Sequence, residues 1–223
     1  PEVHFYERGG RAYLREIVES GRAELFQSVE RMLRNKPLAA SIKRAALRPS
    51  RDLPLDLQKV VLDELQKEGR VRTRSGGRVL FLDRLTPLSA GDQKLLDRLV
   101  GTCEEVGFRP LTADELREKL AMSEADYTSL FARAEDEGMV DSVGDHIYGS
   151  TVIRKALVAI RNDCLRHDGE LNIPELRDEL GTSRKYLIPL LEYVDGLGLT
   201  QLRSGVRRLI STSELNEELS GSE

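Results

Sequence analysis

The chain has 223 residues, 39% apolar and 32% charged, with aromatics at 5% and no Trp. This composition argues against one large core and against an aromatic, base-stacking sheet, and it suits several small, highly charged modules. The net charge of −4 argues against indiscriminate nucleic-acid binding, but only as an average over very unlike segments.

The first residues form a hairpin, with Val3–Tyr6 and Arg11–Leu14 on either side of Gly9-Gly10. It starts no repeat. The chain opens at Pro1 rather than Met, so we read 1–17 as the leftover hairpin of a truncated preceding module, the alternative being an independent capping hairpin.

Three similar units follow, each expected to run long helix, short helix, second long helix, closing Gly and hairpin. In 18–84 the helices are Leu25–Arg34, Ser41–Leu47 and Leu55–Glu68, closed by Gly69. Strands Val71–Arg74 and Arg78–Leu82 flank Ser75-Gly76-Gly77. In 85–149 a helix Ala90–Val106 precedes one capped by Thr112 with Glu115 three residues on, a capping box. Ser123 caps the next helix, which turns Tyr127, Leu130, Phe131 and Ala134 inward and closes at Gly138. Met139–Val143 and His146–Tyr148 pair across Gly144-Asp145. In 150–211, Thr151–Arg166 is helical, Ile173, Leu176 and Leu180 face inward on the short helix, and Tyr186, Leu190, Leu191, Val194 and Leu197 stripe the last helix. Residues 212–223 read as a disordered acidic tail.

This order is the helix-turn-helix plan with a β-hairpin wing. The fold class is therefore mainly α with small β-hairpins, in tandem winged-helix modules. Charge divides among them unequally. Residues 18–84 hold 15 Lys/Arg against 9 Asp/Glu, residues 85–149 hold 6 against 14, and residues 150–210 hold 10 against 8. The middle module repels phosphate, and the outer two can attract it.

The most informative segment is Asn172 to Ile210. In this plan the second helix presents its N-terminal turn to nucleic acid. Here that turn reads Ser183-Arg184-Lys185. Two cations at a helix N-terminus conflict with the dipole, and a docked anion removes the conflict. Thr182 or Ser183 can cap the helix and still offer a hydroxyl to phosphate. Pro189 lies inside the helix, where it either bends the first turn or is incidental. The wing supplies Arg203, Gly205, Arg207 and Arg208, with guanidinium groups suited to phosphate or a guanine edge. A second basic surface is formed by Lys43, Arg44, Arg48, Arg51, Arg72 and Arg74. Glu192 and Asp195 interrupt the last helix's outer face, which counts against deep insertion into a DNA major groove.

Catalytic motifs are missing: there is no GxxxxGK[ST] phosphate loop and no GxSxG elbow. His4, His146 and His167 are scattered without metal-ligand spacing, and Glu104-Glu105 and Glu217-Glu218 read as solvated faces. Cys103 and Cys164 read as buried thiols, in keeping with a reducing cytosol. No apolar run approaches the roughly 20 residues of a membrane span, and no signal peptide is visible.

LGTSRKYLIPLLEYVDGLGLT, followed by R..GVRRL, resembles the last winged-helix module of the bacterial selenocysteine-specific elongation factors. TPLSAGDQKLLDRL through DHIYGS is similar to the module before it, and NKPLAASIKRAAL with LQKEGRV more loosely to the one before that. The resemblance implies a non-enzymatic extension of a GTPase, without the GTPase domain and without a cofactor or metal of its own. It implies that Ser183, Arg184, Lys185, Arg203, Gly205, Arg207 and Arg208 grip the messenger hairpin that recodes UGA. It also implies the ribosome as a partner, selenocysteinyl-tRNA and GTP bound by the part outside this chain, and a monomeric, cytoplasmic protein away from membranes. The chain departs from the family wing, T-R-R-x-G-D-(K/R)-R. It has Thr200-Gln201-Leu202-Arg203-Ser204-Gly205-Val206-Arg207, so basic residues are missing at 201, 202 and 206. The competing readings are a DNA-binding tandem winged-helix regulator and a protein-interaction scaffold.

Overall fold

The computed structural model describes residues 5–8, 11–74 and 77–210. Val3 and His4, Gly9-Gly10, Ser75-Gly76 and the acidic tail 212–223 lie outside the described residues. By packing, the chain divides into two compact units. One is the segment through Pro87 with Thr128–Asp136, and the other is Leu88–Tyr127 with the chain from Glu137 on.

In the first unit β1 (Phe5–Arg8) and β2 (Arg11–Leu14) pair antiparallel, and α1 (Arg15–Leu33) follows β2 directly. This helix starts ten residues before its expected beginning. Val18, Gly21, Leu25, Val29 and Leu33 form one buried stripe at helical spacing, so Ser20-Gly21 is no break. Gly21 has a packing role, because a Cβ there would lie 2.8 Å from Leu57 Cδ2.

The expected short helix Ser41–Leu47 is not formed. β3 (Ser41–Lys43) and a single 3-10 turn (Arg44–Ala46) replace it. Ser41, Ile42 and Lys43 pair with Leu80, Val79 and Arg78 of β5 (Arg78–Phe81), whose other edge takes β4 (Val71–Arg74). Alternation puts Ile42, Val79, Val71 and Phe81 in the core with α1 and α2 (Leu55–Lys67). The opposite face carries Ser41, Lys43, Arg72, Arg74, Arg78 and Leu80. The buried carboxylate of Asp136 closes it. It accepts from the Ala40 and Ser41 amides at 2.5 and 3.0 Å, from the Ser41 hydroxyl, and from Arg78 at 3.1 Å.

The second unit holds α3 (Ala90–Val106), α4 (Ala113–Leu120) and the first turn of α5 (Glu124–Glu137), whose residues Thr128–Asp136 belong to the first unit. The three helices start at Ser89, Thr112 and Ser123, whose hydroxyls accept the amides of Asp92, Glu115 and Asp126. Strand β6 (Leu111–Thr112), absent from the sequence reading, joins β8 (His146–Gly149) and β7 (Val140–Val143) in a three-stranded sheet. Then come α6 (Ser150–Arg166), α7 (Ile173–Glu179), α8 (Arg184–Gly196), β9 (Thr200–Arg203) and β10 (Val206–Leu209). Val143 and Tyr148 share one core with Leu157, Ile160, Leu176, Leu187, Leu191 and Val194. The middle and last helix–hairpin runs are thus packed together, which their separate sequence patterns do not reveal.

Glu104 is no solvated face residue. Its carboxylate accepts the Thr151 amide at 3.1 Å and the Thr151 hydroxyl, and so caps α6. Gly149 precedes that cap, and a Cβ there would overlap the Glu104 carboxylate. Among the described residues no helix is long and apolar enough to cross a membrane.

Both cysteines are free and buried. Burial, and then the neighbouring Glu104 charge, pushes the Cys103 thiol up to about 12. Burial, and then Asp163, pushes Cys164 up to about 11. We therefore expect iodoacetamide at pH 8 to label neither thiol in the native chain and both in guanidinium, read by intact mass. A raised thiol pKa stabilises the fold below the unfolded value, and that contribution is lost as pH climbs through the folded value. Asp136→Ala leaves Arg78 and two amides without their acceptor. We expect it to cost about 3 kcal/mol in denaturant titration.

Candidate nucleic-acid interface

The last run is built around α8. Leu187, Leu190, Leu191 and Val194 are buried on one side of it, and Gly198, at φ 79°, turns the chain into the wing. The helix continues through Pro189, which has no N–H to give the Lys185 carbonyl four residues back.

The start of α8 is open. Neither expected cap is used: Ser183 makes no side-chain capping bond, and the Thr182 hydroxyl donates instead to the Phe108 carbonyl at 2.6 Å. The first turn holds no acidic residue, unlike those of α3, α4, α5 and α7. Arg184 is exposed and makes no ion pair among the described residues. The exposed Lys185 ammonium lies 5.1 Å from the centroid of the Tyr186 ring. Free amides, two cations and an unused hydroxyl therefore stand together at one helix end, an arrangement suited to an oxyanion.

The wing corrects one expectation. Its two-residue turn has Ser204 at φ 50° and Gly205 at φ 82°, a left-handed backbone that accounts for the glycine at 205. Arg207 lies opposite Leu202, while Arg203 and Arg208 lie opposite Val206 and Gln201, so the arginines separate onto two faces. Arg207 points inward and is 4% exposed. Its Nε and Nη2 reach the Asp195 carboxylate at 3.0 and 2.8 Å, and the Thr200 hydroxyl donates to the same carboxylate at 2.5 Å. Arg207 is therefore buried in an ion pair instead of being exposed on the wing, and Asp195 is its structural partner.

Arg203 and Arg208 remain on the outer wing face, where they line a shallow groove with Gln201, Val206 and Ile210. Arg208 is half-engaged by an exposed ion pair with Glu170. That pair sits where residues 169–171 run beside β10, through Leu171 N–H to the Arg207 carbonyl at 2.9 Å.

The second basic surface is only partly assembled. Lys43, Arg78 and Arg74 stand in one row across three strands, but Arg78 is committed to Asp136 and to Glu135 at 3.5 Å. Arg72 lies in the neighbouring row. Arg44, Arg48 and Arg51 are exposed in the stretch between β3 and α2, beyond the sheet.

His146 and His167 have definite neighbours. His146 meets the Tyr186 ring edge-on, with centroids 5.2 Å apart. Asp163, His167 and Glu175 offer ligand atoms within 4.8 Å of one another. The fully buried Asp163 carboxylate is already bound by the Asn172 amide at 2.7 Å, and Asn172 caps α7, so this cluster serves the start of the short helix. Thr112 hydrogen bonds hold the Glu115 carboxyl below its usual range, and the nearby Lys185 and His146 add to the effect.

Fold and site together define a tandem winged-helix protein. Residues 163–209 match the family described as "Elongation factor SelB, winged helix". A selenocysteine-specific elongation factor of Desulfomicrobium baculatum is 25% identical over 180 residues, 79% of this chain and 28% of that protein. The chain thus spans little more than a quarter of that relative. Among solved structures, the bacterial selenocysteine-specific elongation factor EF-Sec is 20% identical at TM-score 0.44, over 93% of this chain and 32% of that one. The mRNA-binding domain of elongation factor SelB from E. coli, solved with SECIS RNA, is 23% identical at TM-score 0.46, over 55% of this chain and 98% of that one.

The two wing arginines separate experimentally. We expect Arg207→Ala to lower stability by roughly 3 kcal/mol, because it leaves the Asp195 carboxylate half-buried without its cation. Arg203→Ala should leave the melting temperature unchanged. Equal melting temperatures for the two variants would refute this division.

Proposed function

We propose that this chain is an RNA-binding part of a selenocysteine-specific translation elongation factor. In this reading the third module, 150–211, grips a messenger RNA hairpin. One observation carries it: the uncapped start of α8, with Ser183, Arg184 and Lys185, lies inside the segment that matches the SelB winged-helix family. Arg203 and Arg208 of the wing's outer face complete the grip. Arg207 supports them by holding the wing onto α8.

A-form duplexes hide their major groove, so a compact cationic turn reads a hairpin loop and its flanking phosphates better than it reads a long duplex. The modules 18–84 and 85–149 space this site from the body of the factor. That body binds GTP and selenocysteinyl-tRNA, and the whole works on the ribosome as a monomer in the cytoplasm. No catalytic role falls to this chain.

The test is a titration with a short RNA hairpin bearing a bulge and a small loop, against duplex DNA of equal length, at two salt concentrations. We expect hairpin-selective binding. Arg184→Ala/Lys185→Ala should weaken it on the order of a hundredfold. It should also lower the salt slope by roughly one per cation removed. Equal affinity for DNA, or indifference to the double substitution, overturns the reading.

A further inference from the structure

Local physics works against the first turn of α8. It lacks a side-chain cap, carries two cations against the helix dipole, and has a proline in its second turn. Yet this is the turn that has to meet the ligand in a defined shape. What holds it comes from elsewhere in the same compact unit.

Four contacts converge on residues 182–189. The Thr182 hydroxyl donates to the Phe108 carbonyl, in the turn after α3, at 2.6 Å. The hydroxyl of Tyr148, a β8 residue only 1% exposed, donates to the Tyr186 carbonyl at 3.3 Å. His146, two residues earlier on the same strand, meets the Tyr186 ring edge-on at 5.2 Å, and the other partner of that ring is the Lys185 ammonium. Gly144, at the β7–β8 turn, backs onto Pro189, so that a Cβ on it would lie 3.6 Å from the proline Cβ. One contact holds the Thr182 side chain and another the Tyr186 backbone, on either side of Arg184 and Lys185, and a third meets the ring over which Lys185 lies.

We propose that Phe108, His146 and Tyr148, through Thr182 and Tyr186, are positioning residues for the RNA-binding turn. The acidic middle run then contributes to RNA affinity without touching phosphate. This rests on the RNA reading above and adds a residue-level claim to it. Pre-ordering the turn removes an ordering cost from binding, so its loss appears as weaker affinity in a chain that is still folded. Thr182 is the position where that loss can be made with least disturbance, since valine keeps its shape and removes only the donor.

The experiment uses the whole chain and the RNA hairpin. Thr182→Val and the pair Thr182→Val/Tyr148→Phe are compared with the parent for hairpin affinity and melting temperature, with Thr182→Ser as the conservative control. Thr182→Val is expected to bind about five- to tenfold more weakly at a temperature where the fold is intact. The pair should bind weaker still, and Thr182→Ser should keep the parent affinity. In a Lys185→Ala background the effect of Thr182→Val should shrink, because Thr182 acts through that turn.

Unchanged affinity in Thr182→Val, while Arg184→Ala/Lys185→Ala still weakens binding, overturns the positioning role and leaves the RNA reading intact. Additive effects of Thr182→Val and Lys185→Ala overturn it equally. If the pair melts below the assay temperature, Thr182→Val alone decides. Indifference of RNA binding to Arg184→Ala/Lys185→Ala removes the RNA reading itself, and this inference with it.

Discussion

The last run hangs on the carboxylate of Asp195. Near the end of α8 it receives a two-pronged guanidinium from β10 and a hydroxyl from β9, so one anion ties both wing strands to one helix. A planar fork from the buried Arg207 meeting a half-buried carboxylate is strong and directional. It also fixes which side of the wing faces out. With Arg207 turned inward, alternation sends Arg203 and Arg208 the other way, together with Gln201 and Val206.

The two ends of α8 are treated oppositely. The C-terminal end is satisfied locally, by Gly198 and by the Asp195 cluster. The N-terminal end is left open locally and supported from a distance, by groups on the turn after α3 and on β8. In the same unit α3, α4 and α7 start with a Ser, Thr or Asn cap and an acidic residue in the first turn, while α6 is capped from a distance by Glu104. An end whose amides stay free, and whose shape is set by packing behind it, is the form a binding site takes when the ligand supplies the cap.

Much of this was legible in the sequence, and the failures have physical causes. The capping box at Thr112 and Glu115, the inward stripe Leu190–Leu191–Val194 and the glycine-closed helices depend on neighbours within four residues, so spacing revealed them. Ser41–Lys43 misled because strand pairing with β5 and the Asp136 carboxylate, some 95 residues away in the chain, decide its conformation. Glu104 looked like a solvated acid for the same reason, since its partner is Thr151. For Arg207 the signal was present: a period of two along β10 already separates it from Arg208. Composition drew attention to the arginines, and only the register says which of them face outward. That the middle and last runs share a core lay beyond the repeat pattern, because a repeat describes each copy and not the surface between copies.

The passage from β8 into α6 carries a mechanical implication. Strand ends at Gly149 and helix begins at Ser150, with no residue between them to absorb rotation. The Glu104 carboxylate occupies the space a side chain at Gly149 would need, and grips the first helical turn besides. A joint of that kind has no slack. Rotation at this joint would have to displace the Glu104 cap and disturb the core that the middle and last runs share.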